Sequence, residues 1–207
     1  YMKGLEDNAF ELAIVDPPYG IAQDGHRENN RSNLAVSTNY NKALWDQQKP
    51  AEKYFRELER VSVNQIIWGG NHLADLIGRF SPCWLVWDKH TSGGFADCEL
   101  AYTSFKTAVR KFSYPWNGMI QGFAGNKSKN ELRIHPTQKP TALYKWILHN
   151  YAKEGDRILD THLGSGSSAI AAHYGGFDFV GCELDEDYYK AAVKRFDAET
   201  AQLGFDL

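Results

Sequence analysis

The stretch RILDTHLGSGSSAIAAHYGGFDFVGCELD, from Arg157 to Asp185, constrains the fold more than any other part of the chain. Residues 157–160 have the apolar character and length of a buried strand, and Gly164 and Gly166 interrupt the chain soon after. A helical pattern follows over 167–174, then a second apolar run over 177–184 that ends in acids. Two strands joined through a helix lie parallel in one sheet, because parallel neighbours need such a crossover. The glycines let the backbone approach a ligand closely at the helix N-terminus. Glu183 closes the second strand, where a carboxylate can accept both hydroxyls of a ribose.

The rest of the chain repeats the alternation. Residues 12–15 read as a buried parallel strand, and a helical pattern from Pro50 puts Tyr54, Phe55, Leu58 and Val61 on one face. Strands are expected at 65–68, broken by Gly69-Gly70, at 83–87 and at 99–105. A helix over 141–151 turns Leu143, Trp146 and Ile147 inward, and a last amphipathic helix starts near Asp185 with acids in its first turn. Strands alternating with helices indicate an α/β fold on a mostly parallel, twisted sheet with helices on both faces. With 207 residues and 43% hydrophobic content, the chain suits a single domain over 1–207. Residues 21–48 lack periodicity and read as a loop insert, and residues 106–134 are expected to be irregular and basic. Cys83, Cys98 and Cys182 are scattered and read as reduced core residues of a cytoplasmic protein, with neither zinc nor disulfides indicated. No apolar run reaches membrane-spanning length and no signal-peptide pattern opens the chain, so neither a membrane nor a metal is expected as a partner.

The first apolar run ends abruptly in IVDPPYG, residues 14–20. Two prolines remove two backbone donors and fix φ, so neither strand nor helix continues. The rigid turn holds the Asp16 carboxylate, free carbonyls and the Tyr19 ring around one point. Acceptors beside a ring suit a flat heterocycle that carries an exocyclic NH2. The plain alternative is a Pro-Pro turn that only ends a strand.

Two cofactors compete for the glycine turn. Gly164-Ser165-Gly166-Ser167-Ser168-Ala169 satisfies the dinucleotide pattern GxGxxA, which makes NAD a legitimate reading. Asp160 argues the other way. A carboxylate at the strand end repels a pyrophosphate but suits an ammonium, and S-adenosylmethionine has an ammonium, a sulfonium and a ribose without any phosphate.

Together these stretches resemble the DNA amino-methyltransferases, in particular the permuted β-class, where a catalytic tetrad precedes the cofactor loop. Asp16, Pro17, Pro18 and Tyr19 match the catalytic DPPY tetrad, the loop from Asp160 to Gly166 matches the cofactor loop, and Glu183 matches the ribose acid. HPTQKP, residues 135–140, is similar to the stretch that precedes the cofactor strand. The resemblance implies a Rossmann-like sheet in circularly permuted order and transfer of a methyl group from S-adenosylmethionine to adenine N6. Asp16 and the Pro17 carbonyl would accept the amine hydrogens, and Tyr19 would stack on the flipped base. The cofactor would lie against Asp16, His135, Thr137, Gln138, Lys139, Asp160, Thr161, His162, Gly164, Ser165, Gly166, Ser167 and Glu183. Thr161-His162 stands where relatives often have Pro-Phe, and the target-recognition region is confined to about 89–134. An edge strand that relatives carry before residues 2–8 has no counterpart, so a missing edge strand at the N-terminus is expected. The compact length resembles phage and prophage enzymes.

Double-stranded DNA is the implied partner, with a homodimer kept open. The formal net charge is -3, so phosphate contact requires a local patch. Lys106, Arg110, Lys111, Lys127, Lys129 and Arg133 form the densest basic span, and Arg27 and Arg31 add to it from the long loop. Cytosine-N4 methylation presents similar chemistry and is the nearest rival. An NAD-dependent oxidoreductase and a non-catalytic DNA-binding subunit are rivals of other classes.

Overall fold

The computed structural model describes residues 1–21, 48–91, 96–117, 120–122 and 130–201. Its centre is β1 (Phe10–Val15), whose side chains from Leu12 to Val15 alternate between two buried layers. Leu12 and Ile14 enter one layer, and Ala13 and Val15 the other. Period-two alternation with both faces apolar is what a strand covered on both sides requires.

The chain continues through α1 (Glu52–Val61), β2 (Ser62–Trp68), α2 (Gly70–Ile77), β3 (Trp84–Asp88), β4 (Cys98–Thr103) and β5 (Arg110–Ser113). A short hairpin of β6 (Trp116–Asn117) and β7 (Ile120–Gln121) follows. The C-terminal part is α3 (Thr141–Tyr151), β8 (Arg157–Asp160), α4 (Ser167–Gly175), β9 (Asp178–Gly181) and α5 (Glu186–Thr200). The large sheet has the order β5-β3-β4-β2-β1-β8-β9. Neighbours are parallel except where β4 inserts antiparallel between β3 and β2.

Phe55, Leu58 and Val61 of α1 and Leu73 and Ile77 of α2 cover one face. Leu143, Ile147 and Leu148 of α3, with Ala171 and Ala172 of α4, cover the other. The expected mostly parallel sheet with helices on both faces is therefore present. From β1 the chain departs in one direction through α1 to β2, while β8 and β9 build out on the other side. A crevice opens at such a switch point, outside the carboxyl ends of the strands.

Three expectations need correction. Gly69-Gly70 does end β2, but the residues after it, not read as an element, form α2, which Gly69 caps at φ 67°. Residues 106–134 are not wholly irregular, because β5 adds a parallel edge strand to β3 and the hairpin follows it. Their alternation is too short to register against so many basic residues. Of the cysteines only Cys83 is in the core, while Cys98 and Cys182 are partly exposed. Among the described residues β9 stands at one edge of the sheet. Most of the 21–48 insert lies outside the described residues.

Candidate functional site

Parallel pairing aligns Leu12 with Ile158 and Ala13 with Leu159, so Asp16 and Asp160 emerge at the same edge from adjacent strands. Glu183 follows β9 at that edge, and Trp68 ends β2 there. Because β4 runs antiparallel, its first residues reach the same edge, which brings Glu99 beside them.

Asp16 is held from two sides. The Tyr19 hydroxyl donates to Oδ1 at 2.5 Å, and the Lys139 ammonium donates to Oδ2 at 2.5 Å. The Tyr19 ring stacks on His72 with centroids 5.3 Å apart. A Cβ at Gly69 would overlap that ring, so the glycine read as a break is the space in which Tyr19 sits. Burial, then the neighbouring Asp16 and Glu99 carboxylates, raise the Tyr19 pKa well above that of an ordinary phenol. Tyr19 therefore stays a hydrogen-bond donor.

Lys139, expected from the sequence to contact cofactor or phosphate, is bound by two acids of the chain. Its side chain is 4% exposed, with Nζ 3.3 Å from Glu99 Oε2 as well as against Asp16. Burial disfavours its charge, but Asp16 and Glu99 outweigh burial and lift its pKa above the usual lysine value. Lys89 approaches the other Glu99 oxygen at 3.0 Å. Glu99 and Lys89 belong to no motif, and only the antiparallel β3–β4 pairing brings them here.

The glycine turn is built around Asp160. Its Oδ1 accepts from the His162 N–H at 2.9 Å and its Oδ2 from the Ser168 hydroxyl at 2.6 Å. Burial raises its pKa to about 7 against these two bonds, with Asp16 and Glu183 adding to the rise. Gly164 and Gly166 both have positive φ, and Gly166 caps α4. Glu183 Oε2 accepts from the Gly164 N–H at 2.8 Å, while Oε1 accepts from the N–H groups of Leu184 and Asp185. Leu184 beside it is fully exposed. His135 packs near Gly164 and against Tyr188, and burial lowers its pKa to about 4. Thr161 bonds to the Tyr54 hydroxyl at 2.6 Å and to His162 Nδ1 at 3.0 Å. Burial lowers the His162 pKa to about 4, which leaves a neutral imidazole.

Other expected contacts point elsewhere. Gln138 donates to Leu132 O and accepts from the Ile134 N–H, bracing that segment. The Thr137 hydroxyl lies 3.2 Å from His135 Nδ1. Ser165 and Ser167 bond to each other, and Arg195 donates to Ser165 O and Ser167 Oγ. Arg195 also donates to Glu131 Oε2 at 2.8 Å, so the one acid of the basic span is drawn to the cofactor turn. Lys106, Arg110 and Lys111 are exposed, though Lys111 lies 3.3 Å from Asp88. Arg133 is half-buried over the Trp116 ring at 5.3 Å. Arg27, Arg31, Lys127 and Lys129 lie outside the described residues. Among the described residues no group of three acids, histidines or cysteines is placed to hold a metal, and no helix is long and apolar enough to cross a membrane.

Comparison with known proteins agrees with this fold. The DNA methylase family N6_N4_Mtase matches residues 82–194, more than half of the chain. The type II methyltransferase M.HpaI of Haemophilus parainfluenzae is 25% identical over 99% of this chain and 73% of its own length. M2.DpnII of Streptococcus pneumoniae is 45% identical, over 31% of this chain and 24% of its own length. Among solved structures, the M1.HpyAVI–SAM complex aligns with TM-score 0.58 at 18% identity, over 95% of this chain and 92% of the other. The cytosine-N4-specific PvuII DNA methyltransferase aligns with TM-score 0.58 at 11% identity, over 97% and 86%. At these identities the structures establish the shared fold.

Proposed function

We propose that this chain, which belongs to the DNA methylase family N6_N4_Mtase, transfers a methyl group from S-adenosylmethionine to the N6 amine of an adenine flipped out of duplex DNA. The observation that carries the reading is the pair of acids at one sheet edge, Asp16 in a Pro-Pro turn beside Tyr19 and Asp160 at the glycine turn on the adjacent strand.

The residues at the turn fit the cofactor. Asp160 is a buried carboxyl with no cation against it among the described residues, and an ammonium would satisfy it. The Glu183 carboxylate keeps about one lone-pair site, on Oε2, for a ribose hydroxyl beyond its three backbone bonds. Leu184 offers an apolar surface next to them. Acids on both sides of the turn oppose a pyrophosphate, which disfavours NAD. When bound, S-adenosylmethionine would supply a methyl activated on a sulfonium that leaves as a neutral thioether, and the methylated amine would lose its proton to water.

The chain's own groups lower the barrier by positioning and hydrogen bonding. An adenine amine is a weak nucleophile because its lone pair is delocalised into the ring. Asp16 and the Pro17 carbonyl accept its hydrogens most strongly as positive charge develops on nitrogen, which is differential binding of the transition state. Pro17 and Pro18 hold these acceptors still, and Tyr19 stacks on the base. Base flipping costs about a few kcal/mol, which phosphate contacts offset. The exposed Lys111, drawn to Asp88 at the carboxyl end of β3, supplies them nearest the site. Lys106 and Arg110 stand before and at the start of β5, at the opposite end of the strands from Asp16, and meet only DNA that runs along the β5 side. Arg27, Arg31, Lys127, Lys129 and Arg133 are proposed to complete the set.

Cytosine N4 is the second reading, favoured by the likeness to the cytosine-N4-specific PvuII enzyme. Asp rather than Ser before Pro-Pro favours adenine. The test incubates the protein and unmethylated duplex DNA with tritiated S-adenosylmethionine, with NAD binding measured in parallel by calorimetry. Label in DNA is expected, without NAD binding. Unlabelled DNA would overturn the reading, and NAD binding beside it would favour the oxidoreductase.

A further inference from the structure

Both oxygens of Asp16 already accept hydrogen bonds, one from Tyr19 and one from Lys139. An amine that donates to Asp16 must compete with them, and a cation on the carboxylate weakens it as an acceptor. The same ammonium has a second carboxylate within reach, Glu99 Oε2 at 3.3 Å. Trp68 and Tyr19 rings flank it at 5.5 and 5.9 Å, a path along which a cation is stabilised. Glu99 in turn is paired with Lys89. Asp16, Glu99, Lys139 and Lys89 together sum to zero charge, so moving Lys139 from one acid to the other keeps that total while baring the Asp16 carboxylate.

We propose that Glu99 is a positioning residue: it draws the Lys139 ammonium off Asp16 when the target amine enters, so that Asp16 accepts the amine hydrogen unencumbered. The inference rests on the methyl-transfer reading above. No proton moves between Lys139 and the acids, because Lys139 is held protonated by both. The other titratable groups around it are Tyr19, Tyr144 on α3, His135, Asp160 on β8 and Lys89. Tyr144 is kept a phenol first by burial and then by the nearby acids, and His135 is neutral near pH 7.

The test is Glu99→Gln, which keeps shape and removes charge. With only Asp16 as partner, Lys139 stays on it. The turnover of methyl transfer should fall by about tenfold or more, with KM for S-adenosylmethionine unchanged. Loss of one carboxylate also lowers the Lys139 pKa, so the deficit should shrink as pH rises from about 7 to about 10. Glu99→Gln combined with Lys139→Met should turn over faster than Glu99→Gln alone. Glu99→Asp keeps the charge and should retain the parent's pH profile, which covers the case in which Glu99→Gln does not fold. Parent-like turnover in Glu99→Gln, a deficit independent of pH, or a double variant no faster than the single would each overturn the role of Glu99. A parent protein that labels no DNA would instead contradict the methyl-transfer reading itself.

Discussion

Asp160 is 2% exposed, and burial raises its pKa to about 7 from an unfolded value of 3.8. Between those values the folded chain binds a proton that the unfolded chain does not, so this group's contribution to stability falls as pH rises through that window. A cationic ligand reverses the demand, since an ammonium binds the ionised carboxylate. Affinity for S-adenosylmethionine should therefore climb as pH rises from about 6 to about 7.5, approaching a tenfold change per unit below the pKa. Asp160→Asn should bind weakly and lose the slope. Calorimetry across that range checks this, and an affinity independent of pH in the parent would contradict it. Residues of this kind were legible because their neighbours in sequence are their neighbours in space, as with Asp16 and Tyr19 or Asp160 and Ser168. Glu99 was not legible. Its bond to Lys139 depends on β4 reversing direction, which no spacing within either segment encodes.

Among the elements, β1, α1, α3, β8, α4 and α5 fall where hydrophobic period and turn residues place them, to within a few residues. The helix α2 was hidden, because paired glycines signal a break and its apolar face is only Leu73, Leu76 and Ile77. The link between α5 and the glycine turn was hidden too. Arg195, 3% exposed in its side chain, holds Glu131, Glu199, Ser165 and Ser167 together. Burial raises the Glu131 pKa, and the nearby Arg195 opposes that rise. Arg195→Met would strand a carboxylate in the interior, at a cost of about 3–5 kcal/mol. Thermal unfolding should move down by roughly 10 °C. An unchanged Tm would show that the guanidinium clamps nothing.

The whole molecule carries a net charge of -3, so attraction to DNA is a property of one region rather than of the protein. If Lys106 and Arg110 face phosphates, neutralising both should weaken binding to all sequences alike. The slope of log K against log salt should fall by about 0.9 for each lost contact. A double variant with the parent's slope would place DNA elsewhere on the surface. The mostly parallel sheet and its two helical layers were legible in outline from strand–helix alternation, whereas the strand order and the antiparallel insertion of β4 follow from tertiary pairing. If this edge of the sheet methylates adenine at N6 through Asp16, the product is N6-methyladenine in DNA. Mass spectrometry of nucleosides is the most direct measurement, applied to DNA from a methylation-free host that expresses the parent chain or Asp16→Ala. N6-methyladenine should accompany the parent and drop by orders of magnitude with Asp16→Ala. N4-methylcytosine in its place, or N6-methyladenine at parent level with Asp16→Ala, would contradict the account.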